Sequence, residues 1–245
     1  MSDPIRLAVI GNPVAHSRSP ELHLGFAKQL GMTLEYDRVE CAAGEFIDTA
    51  NRLRETGYAG ANVTVPFKAD AFALCDTRTP VAELAQAVNT LHFVDHSVLG
   101  DNTDGPGFIR DLTSRCGIDV AHKTVIIIGA GGAVRGLMKP LLDQNPSQVV
   151  VAGRSPYNAE AIAERFADFG PVQGCTYLAL KGWQADVLIH ASPAGHSGRM
   201  PTLPSTLLTA ETPCYDLSYG RHIRFSVTGR WPVVSGPYLM GWACW

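Results

Sequence analysis

No uninterrupted apolar run in this chain reaches the roughly 18 residues of a membrane span. The start, MSDPIRLAVIGN, lacks the charged-then-apolar layout of a secretory signal. C-x-x-C pairs are missing as well. The six cysteines (Cys41, Cys75, Cys116, Cys175, Cys214, Cys244) stand far apart and read as reduced thiols filling core space, which predicts a cytoplasmic protein. Strong charge of one sign is absent: 20 Lys+Arg against 23 Asp+Glu leave a net charge of -3, which argues against a nucleic-acid or membrane-surface partner. His92 and His96 have a spacing that would bind metal on a helix. NTLHFVDHSVLG, however, alternates like two strands around a turn, so no metal site is expected. What remains is a globular chain of 245 residues, 46% hydrophobic and 18% charged, long enough for one large domain or two modest ones.

The pattern along the chain alternates strand and helix. IRLAVIGN reads as a buried strand. SPELHLGFAKQLGM reads as a helix capped by Ser19, with Pro20 at its first position. LEYDRVE is a second strand, GEFIDTANRLRETG a helix stopped at Gly57, and GANVTVPF a third strand that Pro66 ends as the next helix begins. A helix VAELAQAVN and two short strands reach Asn102, and the whole predicts a mostly parallel sheet. A Gly-Pro-Gly hinge then opens the linking helix DGPGFIRDLTSRCG. The second alternation runs through KTVIIIGAGG, a helix kinked or shortened by Pro140, SQVVVAGRS, NAEAIAERFADF, DVLIHASP and PCYDLSY. The expectation is two α/β domains, 1–104 and 105–220, and an anomalous tail, 221–245.

TVIIIGAGGAVRG is strand, glycine turn and helix. Gly129 and Gly131 allow the tight turn and close backbone approach to a pyrophosphate, and the helix from Gly132 aims unpaired N–H groups at that anion. Val134 holds the third glycine position of G-x-G-x-x-G, so the match is partial, and the turn alone also fits a ligand-free junction. The next strand ends in VVVAGRSPYN, with no acid for a free ribose 2′-hydroxyl. Arg154 there suits a 2′-phosphate, which favours NADP over NAD; a solvated surface arginine is the alternative.

The first half holds a polar constellation. Asn62 and Thr64 share a strand face, and Lys68 falls in the first turn of the following helix, beyond the strand's C-terminal end. A helix N-terminus disfavours an ammonium and lowers its pKa, so lysine there reads as a proton-transfer group. Ser17 and Ser19, Asn89, and Asp101 with Asp104 mark three more strand ends. Each alone also fits a cap or turn. Together they form a polar set that suits a small, highly hydroxylated acid.

GNPVAHSRSP, GANVTVPFK, AVNTL, GDNTDG, GAGGAVRG and YDLSYG, in this order, resemble the shikimate dehydrogenases from about Ile5 to Gly220. The resemblance implies a Rossmann-like second domain and reduction of 3-dehydroshikimate to shikimate with NADPH, on the route to aromatic amino acids. It implies that Ser17 and Ser19 hold the substrate carboxylate, that Thr64, Asn89 and Asp104 bind ring hydroxyls with Tyr219 nearby, and that Lys68, paired with Asp104, carries the proton. Gly129, Ala130, Gly131, Gly132 and Ala133 would cradle the cofactor, Arg154 and Ser155 the 2′-phosphate, and Leu217 would sit near the nicotinamide. A homodimer is the assembly to test. Two departures stand out: Asn158 occupies the place of a second base in the 2′-phosphate loop, and His190 in HASPAG stands where asparagine is common.

After YDLSYG the resemblance stops and 25 unrelated residues follow. Met and Trp have one codon each, so LMGWACW can be read two bases later, as D-G-[LVM]-G-[LVM]-L when the leucine codon ends in G. That matches the family's DGLGML. The residues from about Arg221 therefore read as out of frame, with true divergence as the alternative. Quinate dehydrogenase and a non-catalytic nucleotide-binding remnant are the other functional readings.

Overall fold

The computed structural model describes residues 3–192 and 201–217. Tyr219 and the tail from Arg221 lie outside the described residues. The chain divides into two compact units, with the boundary between Thr103 and Asp104.

The first unit runs β1 (Ile5–Gly11), α1 (Ser19–Leu30), β2 (Leu34–Glu40), α2 (Phe46–Glu55), β3 (Gly60–Val63), α3 (Lys68–Leu74), β4 (Thr77–Arg78), α4 (Pro80–Ala85), β5 (Thr90–Val94) and β6 (Ser97–Asp101). Its six strands lie in the order β2-β1-β3-β5-β6-β4. β1 pairs in parallel with β2 and β3, whereas β5 runs antiparallel to both β3 and β6. The sheet is therefore mixed: the two-residue turn between β5 and β6 leaves no room for a crossover, so they form a hairpin. One core face joins Ala8, Ile10, Phe46, Leu53, Val63, Phe67 and Leu91. Two local expectations are corrected. Ser19 does not cap α1. It is the first helical residue, Arg18 holds the cap position, and the Ser19 N–H donates to Ser17 Oγ instead. Strand β3 ends at Val63, and a turn carrying the cis Val65–Pro66 bond separates it from α3.

The second unit opens with α5 (Asp104–Arg110), which continues into a π-helical turn, Asp111–Arg115. Then come β7 (Thr124–Ile128), α6 (Gly132–Leu142), β8 (Gln148–Gly153), α7 (Pro156–Phe166), β9 (Val172–Thr176), β10 (Val187–His190) and β11 (Cys214–Asp216). All pairs are parallel, in the order β11-β10-β7-β8-β9. Both faces of β7 and β8 are buried, one of them against Leu180, Leu207 and Leu208, so these strands read as continuous apolar runs rather than alternating ones. Gly105, Pro106 and Gly107, expected to precede the linking helix, lie within α5. Pro140 lies inside α6, which ends two residues later at Leu142. A proline at position 140 leaves the Gly136 carbonyl without its helical donor. Gly105 of α5 packs against that carbonyl and the Pro140 ring so closely that a Cβ would overlap them.

Candidate active site

The pairing register of the first sheet brings four strand ends to one edge. Ile10 near the end of β1 pairs with Val63 at the end of β3, Asn62 pairs with Thr90 at the start of β5, and Thr90 pairs with Asp101 at the end of β6. The segments leaving this edge carry Ser17, Ser19, Thr64, Lys68 and Asn89. Ser17 is buried and its Oγ donates to Ser19 Oγ at 3.1 Å, while Arg38 Nε donates to the Ser17 carbonyl at 2.8 Å. Thr64 is tied to β1 by its N–H bond to the Ile10 carbonyl (2.9 Å). Lys68 is the first residue of α3, and its carbonyl accepts from Val88 N at 2.9 Å, which draws the start of α3 next to Asn89.

Asn89, 3% exposed, laces this edge together. Its Nδ2 donates to Thr103 Oγ1, and its Oδ1 accepts from Thr103 N, both at 3.0 Å. Asn62 lies deeper. It accepts from the Tyr36 hydroxyl and donates toward the Asn89 carbonyl and Thr90 Oγ1, so its amide serves the scaffold. His23 stacks on Tyr36 with centroids 4.4 Å apart, its Nδ1 2.8 Å from the Ser19 carbonyl. Burial holds His23 below its ordinary value of 6.5, against the raising effect of the Ser19 carbonyl. Asp104, 6% exposed, opens α5 in the second unit.

In the second unit the glycine turn follows β7. Gly129 has φ +131°, and a Cβ there would lie 2.6 Å from the Ala191 carbonyl oxygen, so only glycine fits. Gly131 is the cap position of α6. No side chain caps that helix and no acid stands in its first turn, so its N–H groups and dipole are available to an anion. Arg154 is exposed and Ser155 holds the cap position of α7 without a side-chain bond. A Cβ on Gly153 would lie 3.2 Å from Ala130 Cβ, which sets the Arg154 segment directly beside the turn. Arg154 opposes the rise that burial imposes on the Tyr177 hydroxyl, so its charge reaches that ring. These residues fit a dinucleotide with an added phosphate. Leu217 is buried and its N–H donates to the His190 carbonyl at 2.9 Å.

Sequence reasoning marked His190 only as a departure and did not single out Asp216 or Ser192. Yet His190 Nδ1 lies 3.1 Å from Asp216 Oδ1, and Nε2 lies 2.7 Å from Ser192 Oγ. The available signal was two polar residues ending two neighbouring apolar strands. A second missed group, Asp111, accepts from Tyr215 Oη at 2.7 Å and Arg115 Nε at 2.5 Å, fixing the π-helical turn. Among the described residues no group of three His, Cys, Asp or Glu is placed to hold a metal. No described helix is long and apolar enough to cross a membrane.

A parallel sheet with a glycine turn and an open helix terminus defines the dinucleotide-binding class of α/β proteins. Two family descriptions match this chain: the shikimate dehydrogenase substrate binding domain over residues 9–91, and shikimate / quinate 5-dehydrogenase over residues 111–197. The shikimate dehydrogenase (NADP(+)) of Thioalkalivibrio sulfidiphilus is 46% identical over 216 residues, covering 88% of this chain and 79% of that one. Among solved structures, an Ael1 enzyme from Pseudomonas putida superposes with TM-score 0.79 at 36% identity, covering 88% of this chain and 79% of that one. Shikimate 5-dehydrogenase from Thermus thermophilus, solved with NADP(H) and shikimate, gives 0.75 at 31%, covering 87% and 78%. The chain belongs to the shikimate dehydrogenase family.

Proposed function

We propose that this chain is an oxidoreductase that reduces 3-dehydroshikimate to shikimate with NADPH. Family membership supports the reading, and one observation carries it: four strand ends gather Ser17, Ser19, Thr64, Lys68 and Asn89 along a single sheet edge. The relatives do not favour a quinate enzyme or a non-catalytic remnant.

In this reading Ser17 and Ser19 hold the carboxylate through their hydroxyls. Thr64, Asn89 and Asp104 receive ring hydroxyls, with Tyr219 nearby. Lys68, paired with Asp104, gives its proton to the carbonyl oxygen as that oxygen becomes an alkoxide. Bound NADPH supplies the hydride. The turn from Gly129 to Ala133 holds the pyrophosphate with backbone N–H groups, Arg154 and Ser155 hold the 2′-phosphate, and Leu217 lies beside the nicotinamide. We infer a cytoplasmic enzyme that assembles as a homodimer, the latter to be checked by sedimentation.

The deciding assay follows NADPH absorbance with shikimate and NADP+. It is run on the 245-residue chain and on the same gene with its frame restored after codon 220. Turnover in the frame-restored protein is the expected result. Absence of turnover in both proteins overturns the proposed activity.

A further inference from the structure

This inference rests on the NADP reading above. β8 and β10 flank β7 on opposite sides, so the sheet changes its winding direction between β7 and β10. A dinucleotide lies across such a switch point with its two halves on either side. Arg154 follows β8, which assigns the adenosine half and its 2′-phosphate to that side. The nicotinamide half then falls over β10 and β11. The end of β10 runs against the glycine turn itself: Ala191 N donates to the Ile128 carbonyl at 2.8 Å, and a Cβ on Gly129 would lie 3.1 Å from Ser192 N.

Three side chains form a line at this place. His190 and Asp216 are directly opposite in the strand register, and both side chains are fully buried. A carboxylate only accepts hydrogen bonds, so with the ring neutral Asp216 selects the tautomer that carries hydrogen on Nδ1. Nε2 then accepts, and the Ser192 hydroxyl donates to it at 2.7 Å. Ser192 is half-buried, and its oxygen has only lone pairs left to offer a ligand.

We propose that Asp216, His190 and Ser192 form a positioning chain that presents Ser192 Oγ as a hydrogen-bond acceptor to a donor on the nicotinamide riboside half of NADP, either a ribose hydroxyl or the carboxamide N–H. His190 and Asp216 touch no cofactor in this arrangement; they set the polarity of the serine. With the ring in that neutral tautomer, the orientation excludes a ligand acceptor at this point, because the one hydroxyl hydrogen is already committed.

The test is calorimetric titration of the full chain with two ligands: NADPH, and adenosine 2′,5′-bisphosphate, which lacks the nicotinamide half. Two variants are compared. Ser192→Ala removes the acceptor. His190→Asn keeps a donor near the Nδ1 position for Asp216 but has nothing at Nε2, so it releases Ser192. Each should weaken NADPH roughly three- to tenfold, the worth of one uncharged hydrogen bond, and leave the bisphosphate unchanged. The double variant should be no weaker than either single one, because both remove the same bond. Unchanged NADPH affinity in Ser192→Ala overturns the proposal. So does equal weakening of both ligands, or additive loss in the double variant. If His190→Asn fails to fold, Ser192→Ala alone decides. If the wild-type chain binds neither ligand, the NADP reading falls, and the positioning role falls with it.

Discussion

The two sheets present opposite kinds of surface at the edges where ligands are expected. The first edge is made of side chains: hydroxyls, amides and one lysine, several bound to each other before any ligand arrives. The second is made largely of backbone: a glycine turn, an uncapped helix, and places where even a methyl group would collide. On the proposed reading, the difference follows from what each edge would have to recognise. A small ring with several hydroxyls is distinguished only by the position of each group, so each needs its own side chain. A pyrophosphate is symmetric and strongly charged, and repeated N–H groups suffice for it.

The comparison breaks most sharply at Lys68. Replacement by alanine in the frame-restored chain should lower kcat by about 100-fold or more while KM changes less, as for a lost general acid. Steady-state kinetics with unchanged kcat would remove the first edge's claim to chemistry. The backbone edge has its own counterpart in Gly129→Ala. With φ at +131° and the Ala191 carbonyl in the way, the variant should lose roughly 2 kcal/mol of stability and most NADPH affinity. Thermal melts with and without NADPH measure both, and a variant matching wild type in each would show that the turn has room to spare.

Arg154→Ala sharpens the contrast by testing a side chain on the backbone edge. NADPH should bind about tenfold more weakly and NADH nearly as before, since a charge-assisted bond to the 2′-phosphate is what is lost. Equal losses for the two cofactors would assign the arginine to the surface alone. The smallest effect concerns His23. Burial lowers its folded-state pKa below 6.5, so the unfolded chain binds the extra proton first. Its contribution to stability is present above pH 6.5 and declines as pH falls toward the folded value. Denaturant titrations between pH 7 and pH 5 should show that decline in the wild type and a flatter profile in His23→Leu.

Local patterns carried most of the architecture into the sequence. Continuous apolar runs such as TVIII and the glycine turn after them signal a buried parallel strand and its exit within a few residues. Signals were lost where the answer depended on partners far along the chain. The hairpin of β5 and β6 looks like any pair of short strands until its antiparallel register with β3 is known. Pro140 stands two residues before the end of α6, and the sequence does not show that Gly105 packs on the carbonyl it frees. Ser19 reads as a cap because Ser17 supplies the acceptor from outside the helix. The candidate polar residues Ser17, Lys68 and Asn89 were legible one at a time; their gathering on one edge is a property of strand order. His190 and Asp216 are 26 residues apart, and only the pairing of β10 with β11 sets them face to face.

The seam between α5 and α6 has a mechanical meaning. Gly105 rests on the Gly136 carbonyl and the Pro140 ring with no side chain between, a joint with no slack. α5 begins at Asp104, and α6 begins at the glycine turn. One residue earlier, Thr103 is fastened to Asn89 by two hydrogen bonds within the first unit. Within the second unit, any tilt of α6 is levered through that seam to the start of α5, where Asp104 stands.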